Sequence, residues 1–363
     1  GPDWLSTAIG AHNGDVLIVM TPGTDDGTLY PRLRGFRTGD KPTYIIDYPE
    51  AIGPIISGRS GAVLPFFAPS YDQSRDVAVG KNVTAMRAFA TQKGENPFVV
   101  YTGYSQGAEA VGNAAEQAIA QNGDGTAIDV NKSHILLISD PRSPWGLKAW
   151  VADHAAVAAM MELFGAESNG ARDPGATGDE LPVTSVIVVG DPVANFQWVW
   201  YRPVSSLLVD AAGFITIHSG LGEQNYGNLI DYGETPTTLK SKDGNTTWAV
   251  LWRDAETGKQ TSRSMPTERD AAELRKGLGD GAVHCLQQQR QSADAAQLTP
   301  EGDRIVMIRS GDDDRTTIPG RQRQFEAFAG AMRVRQPKRD TAPGSGAPQD
   351  THRADTLDAG RRG

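Results

Sequence analysis

Short apolar runs recur along the first 240 residues, and each ends in a polar or glycine-rich segment. Val16–Met20 follows Asn13-Gly14-Asp15 and precedes Thr21-Pro22-Gly23, a pattern that predicts a buried strand leading into a loop. Similar runs predict further strands at Thr43–Ile46, Pro97–Thr102, His134–Ser139 and Thr184–Val189.

Stretches with helical spacing lie between these runs. From Ser74 to Thr91, apolar side chains recur largely every three to four residues, and Asp72 or Ser74 would cap the helix. A second helix, rich in small residues, is predicted from Ala108 to Gln121. Alternating strands and helices are typical of an α/β fold with a mostly parallel sheet and helices on both faces.

The pattern changes after about residue 240. Thr246–Arg253 and Gln260–Ser264 predict a hairpin, Pro266–Leu278 predicts a helix, and Arg304–Arg309 predicts one more strand. We therefore expect a catalytic domain over residues 3–240, a C-terminal α+β appendage over 241–335 and a disordered tail over 336–363.

The amino-acid composition favours a globular protein and argues against several other classes. The 363 residues are 39% hydrophobic and 22% charged, as in ordinary globular proteins, and the apolar runs are too short to span a bilayer. A net charge of −9 disfavours a nucleic-acid partner. A single cysteine, Cys285, excludes internal disulfides and metal sites built from several cysteines, and nothing in the sequence calls for a metal or a cofactor.

Gly103-Tyr104-Ser105-Gln106-Gly107 matches the G-x-S-x-G nucleophile elbow. Because the motif follows a predicted strand and opens a predicted helix, it has the context that the elbow requires. Ser105 would then lie at the positive end of the helix dipole with its hydroxyl exposed. We predict that Ser105 is a catalytic nucleophile.

A serine hydroxyl needs a base, and the base needs an acid that fixes its tautomer. His218 follows the apolar run Phe214–Ile217 and precedes a glycine-rich loop, so we favour it as the base; His284 is the alternative. Asp191 follows a strand and precedes His218, in the serine–acid–histidine order of α/β-hydrolases, and Asp140 is its alternative.

Two further groups of residues complete the predicted site. The amides of Gln106 and of Gly23 or Thr24 would form the oxyanion hole, since Pro22 has no N–H. Large apolar residues near the motifs would line an acyl-chain site, with core packing as the alternative. They are Phe66, Phe67, Tyr104, Phe196, Trp198 and Trp200.

The order of these motifs resembles the PE-PPE domain family, the cutinase-like serine α/β hydrolases of mycobacteria and their relatives. The matching segments cover about residues 15–235. They are Thr21-Pro-Gly-Thr24, Asp47-Tyr-Pro49, Ser74–Gly80, Gly103–Ala108, Asp140–Pro144, Asp191–Phe196 and Gly213–His218.

The resemblance implies the triad Ser105, Asp191 and His218 and a cell-envelope enzyme acting on fatty-acyl esters of lipids or glycolipids, by hydrolysis or by transfer to a sugar acceptor. Ser139–Gly146 departs from the family pattern, which leaves substrate contacts near Asp140 open. A phage-type mycolyl-arabinogalactan esterase and a lipid- or glycan-binding module on the same fold are the alternatives.

The resemblance also implies an exported protein. The first residues, Gly1-Pro2, are typical of a protease-cleavage scar, so we expect that a signal or anchor segment has been removed. Such a segment would be the route to any membrane association.

Overall fold

A computed structural model describes residues 4–12, 14–26, 41–92, 96–196, 198, 203–219, 226, 237–251 and 305–307. Within these residues one sheet of eight strands forms the centre of the molecule, in the order β2-β1-β3-β4-β5-β7-β6-β8. The strands are β1 (Val16–Thr21), β2 (Thr43–Ile45), β3 (Phe98–Tyr104), β4 (Ser133–Ile138), β5 (Val183–Val188), β6 (Thr237–Ser241), β7 (Thr246–Leu251) and β8 (Ile305–Met307).

The sheet is mostly parallel. The first six strands in this order, β2-β1-β3-β4-β5-β7, all pair in parallel. At the far edge, β6 runs antiparallel to both of its neighbours, β7 and β8. The helices are α1 (Trp4–Ile9), α2 (Tyr71–Ala90), α3 (Gln106–Ala120), α4 (Leu147–Ala152), α5 (Ala155–Leu163) and α6 (Pro203–Gly213).

Alternate side chains of the strands face opposite layers, as the two-residue period of a strand requires. On one face, Ile18 and Met20 of β1 belong to a core cluster that includes α1 and α6. On the other face, Val19 packs in a cluster with α2 and α3. Helices therefore cover both faces of the sheet, and the chain has the predicted α/β-hydrolase fold.

The start of α2 differs from the expectation. Ser70 caps this helix: its hydroxyl accepts the Gln73 amide at 3.2 Å, and the Gln73 side chain accepts the Ser70 amide at 3.0 Å. Asp72 and Ser74 lie inside the helix. A reciprocal capping box satisfies two amides that the first helical turn leaves without partners.

The expected boundary after residue 240 is also wrong, because it falls inside β6. β6 and β7 form a hairpin with its turn at residues 242–245, and β7 pairs with β5 in the main sheet. The other strand of the predicted hairpin, Gln260–Ser264, lies outside the described residues. Part of the predicted last strand is present as β8. The predicted helix at 266–278 and the predicted tail at 336–363 lie outside the described residues.

In the described part of the chain, no helix combines the length and apolar character needed to cross a membrane.

Candidate active site

Ser105 occupies a sharp turn between β3 and α3. Its backbone has φ 56° and ψ −117°, a conformation that residues with a side chain rarely adopt. A β-carbon on Gly103 would lie 2.3 Å from the Gly107 carbonyl oxygen, and one on Gly107 would lie 2.3 Å from the Thr21 and Pro22 carbonyl oxygens. The two motif glycines are thus required by close backbone approach, as the elbow prediction supposes.

The elbow is held at the carboxyl edge of the sheet. The Ser105 amide donates to the Ile138 carbonyl of β4 at 3.0 Å, and Ser105 is the residue before the first turn of α3. Gln106, the first residue of that helix, has an amide with no acceptor within the helix itself. This position suits the predicted role of the Gln106 amide in binding an oxyanion.

His218 meets Ser105 at this edge. It closes a π-helical turn, Phe214–His218, that continues α6. Its Nε2 lies 3.0 Å from the Ser105 hydroxyl, and its Nδ1 lies 3.0 Å from Oδ1 of Asp191. The structure therefore brings the three predicted triad residues into one hydrogen-bonded chain. The glycine-rich loop predicted after His218 lies outside the described residues from Gly220 onward.

Asp191 is fully buried just beyond β5. Its Oδ1 also accepts the Val193 amide at 3.0 Å, and its Oδ2 accepts the hydroxyls of Ser139 and Tyr226. Burial alone would raise the pKa of Asp191, but the charge of His218 and the hydrogen bonds from His218, Ser139 and Tyr226 hold this pKa below its ordinary value. The carboxylate is thus stabilised in its charged form.

The alternative acid, Asp140, has a structural partner instead. One of its oxygens accepts Nε of Arg172 at 3.0 Å, and the other accepts the Arg142 amide at 3.0 Å. The alternative base, His284, lies outside the described residues.

The loop after β1 is fixed by two buried carboxyl groups. The Gly23 amide donates to Oδ2 of Asp26 at 3.2 Å, and the Asp26 amide donates to Oε1 of Glu50 at 2.7 Å. The Gly23 N–H therefore already has an acceptor, which argues against the predicted oxyanion role of Gly23. Thr24 is the remaining predicted donor from this loop.

The side chain of Gln106 is committed to holding the elbow. Its Oε1 accepts the Ser74 hydroxyl at 2.8 Å, and its Nε2 donates to the Ala51 carbonyl at 3.0 Å. The Ala51 amide in turn donates to the Ser74 hydroxyl at 3.0 Å. This closed set of bonds ties α2 and the segment after residue 50 to the start of α3.

Tyr104 was predicted to line a substrate site, but its side chain is buried. The Tyr104 hydroxyl donates to the His218 carbonyl at 2.8 Å, and its ring lies 5.2 Å from the His218 ring and 5.5 Å from the Tyr226 ring. Tyr104 therefore supports the backbone of His218 and presents no surface to a ligand.

Four of the other predicted acyl-site residues are described, and they form two pairs with different surroundings. Phe66 and Phe67 lie on a short 3₁₀ turn and are 76% and 73% exposed. Phe196 and Trp198 instead pack around Trp150, at ring distances of 4.6 and 4.9 Å. Trp200 lies outside the described residues.

Sequence reasoning missed three residues of this site. Phe214 stacks on the His218 ring at 5.1 Å and is half exposed. Ser139 and Tyr226 are buried, and their hydroxyls donate to Asp191. Ser139 carried a usable signal, because it ends the strand beside the elbow strand. Tyr226 carried none, since it lies 35 residues after Asp191 and outside every predicted element.

No protein-family model matches the chain, and no curated protein sequence matches it. Among solved structures, it is similar to the RedJ thioesterase of prodiginine biosynthesis in Streptomyces coelicolor, with 16% identity, a TM-score of 0.28, and coverage of 51% of this chain and 74% of that one. It is also similar to the type II thioesterase BorB from the borrelidin biosynthetic cluster, with 14% identity, a TM-score of 0.32, and coverage of 76% and 93%. An inhibited esterase B from Lactobacillus rhamnosis gives 12% identity, a TM-score of 0.29, and coverage of 50% and 59%.

Proposed function

We propose that the protein is a serine esterase or acyltransferase that acts on fatty-acyl esters through Ser105, His218 and Asp191. The observation that carries the proposal is the hydrogen-bonded chain from the Ser105 hydroxyl through His218 to the buried Asp191, at a strained strand-to-helix turn. A non-glycine residue at φ 56° costs free energy, and such strain is typical of functional sites.

In the proposed reaction, Nε2 of His218 takes the proton of the Ser105 hydroxyl while Oγ attacks the ester carbonyl carbon. The Gln106 and Thr24 amides hold the negatively charged oxygen. The C–O bond to the leaving alcohol then breaks as His218 returns the proton to that oxygen. Water or an acceptor hydroxyl, deprotonated by His218, then attacks the acyl carbon. The bond from this carbon to Oγ of Ser105 breaks, and His218 returns the proton to Oγ.

The surface next to the triad supports an apolar acyl substrate. Phe214, stacked on His218, is half exposed, and its neighbour Ile215 is 55% exposed. On α6, which leads into this turn, Val204 and Leu207 are also exposed. An acyl chain lying along this surface would cover apolar side chains that now contact water.

The finer part of the proposal is that the substrate is a cell-envelope lipid or glycolipid and that the protein is exported. It rests on the resemblance of residues 15–235 to the PE-PPE domain family. Product analysis with a glycolipid donor, with and without a sugar acceptor, would separate hydrolysis from transfer. Release of mycolic acids from cell walls would instead favour the arabinogalactan esterase.

The nucleophile is tested with a fluorophosphonate probe and a series of p-nitrophenyl acyl esters. We expect Ser105 to be labelled, ester cleavage to depend on chain length, and both to vanish in Ser105→Ala. Labelling that persists in Ser105→Ala would overturn the assignment. A folded wild-type protein that neither reacts with the probe nor cleaves any ester would favour the binding-module alternative.

A further inference from the structure

We propose that Ser139 is a positioning residue of the active site, which fixes the tautomer of His218 and the orientation of Asp191. The inference rests on the proposed function, and it adds a fourth residue to the triad. Ser139 follows β4, the strand that lies between β3, which leads to Ser105, and β5, which leads to Asp191. Parallel strands bring all three side chains to the same edge of the sheet.

The Ser139 hydroxyl contacts both other groups. It donates to Oδ2 of Asp191, and its oxygen lies 3.0 Å from Nδ1 of His218. Ser139 is completely buried, and its amide is bonded to the Val186 carbonyl at 3.1 Å. The hydroxyl is therefore held in the polar interior of the site, away from solvent.

The single proton of the Ser139 hydroxyl determines which group donates in each of these two hydrogen bonds. A serine hydroxyl has one proton, and the carboxylate of Asp191 can only accept it. Towards His218 the Ser139 oxygen must therefore act as an acceptor, which requires a proton on Nδ1. Nε2 is then left free to take the proton of Ser105, as the reaction needs.

This geometry gives Nδ1–H two acceptors at 3.0 Å, the Ser139 oxygen and Oδ1 of Asp191, while the Tyr104 hydroxyl lies farther away at 3.5 Å. Rotation of the imidazole, or a shift of the proton to Nε2, would lose both bonds. Tyr226 also donates to Asp191 and accepts the Val188 amide at 3.2 Å, but no bond joins it to the imidazole. Of the two described hydroxyl groups that donate to Asp191, only that of Ser139 also lies within hydrogen-bond distance of the imidazole, and this second bond requires a proton on Nδ1.

The backbone of Ser139 strengthens the inference. Its φ is 58°, in the left-handed region that serine rarely adopts, immediately after a regular strand. Glycine would fit this conformation without strain. A serine here costs conformational energy, which is expected where the hydroxyl itself is needed.

Two variants test the proposal: Ser139→Ala removes the hydroxyl, and Ser139→Gly removes it while relieving the backbone strain. The control is Ser185→Ala, because Ser185 is a buried serine of β5 whose hydroxyl has no hydrogen-bond partner among the described residues. With a p-nitrophenyl ester, we expect kcat to fall about tenfold in both Ser139 variants, with KM within about twofold of wild type. Ser185→Ala should keep the wild-type values.

The pH profile is a readout that a merely structural role would not move. The titratable groups around His218 are Asp191, Tyr104 and, beyond Asp191, Tyr226. Removing the Ser139 hydroxyl takes a donor from Asp191, which favours the protonated imidazole, and an acceptor from Nδ1–H, which disfavours it. We expect the acidic limb of kcat/KM to move by roughly half a pH unit or more, in the direction of the larger of these two effects.

Nitrogen-15 spectra of labelled histidine, with His218→Gln to assign the signal, measure the tautomer directly and need no turnover. We expect wild-type His218 to be protonated at Nδ1 and this fraction to fall in Ser139→Gly. A folded Ser139→Gly with wild-type kcat, acidic limb and tautomer would overturn the proposal. If wild type neither cleaves esters nor labels at Ser105, the proposed function fails, while the spectra still decide the role of Ser139.

Discussion

Asp191 and Asp140 look alike in the sequence, since each follows an apolar strand and precedes a proline. Their partners separate them: Asp191 faces an imidazole, which can gain and lose a proton, whereas Asp140 faces the permanent charge of Arg172. A carboxylate that orients a histidine affects the reaction, and one that neutralises an arginine affects the fold.

We therefore expect Asp191→Asn to lower kcat by roughly 10,000-fold, because an amide in that place favours the wrong imidazole tautomer. Asp140→Asn should keep kcat within about threefold and lower thermal stability, because Arg172 loses a buried partner. Ester hydrolysis and thermal unfolding of both variants check this pair. Loss of activity in Asp140→Asn alone would make Asp140 the acid.

Gly107 and Gly80 offer a second comparison between single residues. Gly107→Ala places a methyl group 2.3 Å from two backbone carbonyl oxygens, which cannot move without disturbing β1. Gly80→Ala, inside α2, meets nothing within 4 Å. We expect the first to lose about 3 kcal/mol of stability or more and the second to gain about 0.5–1 kcal/mol. Denaturant unfolding measures both, and equal effects would contradict the close approach at the elbow.

At the scale of elements, the strands were predictable because buried parallel strands are continuous apolar runs between turn residues. β1, β4 and β5 match the predicted runs to within a residue or two. The start of α2 was not predictable in the same way, since Ser70, Asp72 and Ser74 are all good capping residues and only the bond with Gln73 decides among them.

The segment before His218 was harder still. Phe214–Ile217 is apolar like a strand, but it forms a π-helical turn at the end of α6. One face of this turn packs in the core through Ile217, and the other exposes Phe214 and Ile215. A run of four residues is too short for its period to distinguish these structures. The position of His218 in the chain was predictable, but the local structure that delivers it was not.

Helices α2, α3 and α4 are tied together by charge. Glu109 of α3, one turn after Ser105, is fully buried and lies 2.6 Å from Arg75 of α2 and 2.7 Å from Lys148 of α4. Burial lowers the pKa of Lys148, although the charge of Glu109 opposes this. Removing the carboxylate would leave the buried Lys148 without an ion-pair partner among the described residues, whereas Arg75 would keep the more exposed Asp72, Asp76 and Glu167.

We expect Glu109→Gln to destabilise the protein by about 3 kcal/mol or more in denaturant unfolding. The matched control is Glu116→Gln on the same helix, because Glu116 is partly exposed and lies 3.1 Å from Arg172. Its loss should cost about 1 kcal/mol, because Glu116 keeps contact with water and Arg172 keeps its bond to Asp140. Similar values for the two variants would mean that the buried cluster contributes no more than this partly exposed ion pair.

At the scale of the whole molecule, the domain boundary was the poorest expectation. The composition does change near residue 240, but the β6–β7 hairpin completes the main sheet by pairing with β5. The long-range pairing of β5 with β7 joins residues about 60 positions apart, and no local pattern encodes it. Local sequence therefore indicated the type of each element more reliably than its place in the sheet.

Glu50 links the stability of the whole molecule to pH. Burial raises the pKa of Glu50 to about 7, against the opposing effect of its bond from the Asp26 amide; the charge of Asp26 adds to the rise and that of Arg59 reduces it. Between pH of about 4.5 and 7, the folded protein holds a proton on Glu50 that the unfolded chain has released. The free energy of unfolding contributed by Glu50 therefore falls as pH rises through this window and is constant above it.

His134 acts in the opposite direction, since burial lowers its pKa to about 4 and its contribution to stability rises between pH of about 4 and 6.5. We therefore compare the unfolding free energies of Glu50→Gln and wild type at each pH. His134 is present in both proteins, so its contribution cancels in the difference. Glutamine keeps an acceptor for the Asp26 amide but has no proton to release. We expect this difference to favour the variant by up to about 1.4 kcal/mol more for each unit from pH 4.5 to 7, and then to level off. A difference that is flat across this range would mean that Glu50 is charged in the folded protein, and that solvent or Arg59 compensates its burial.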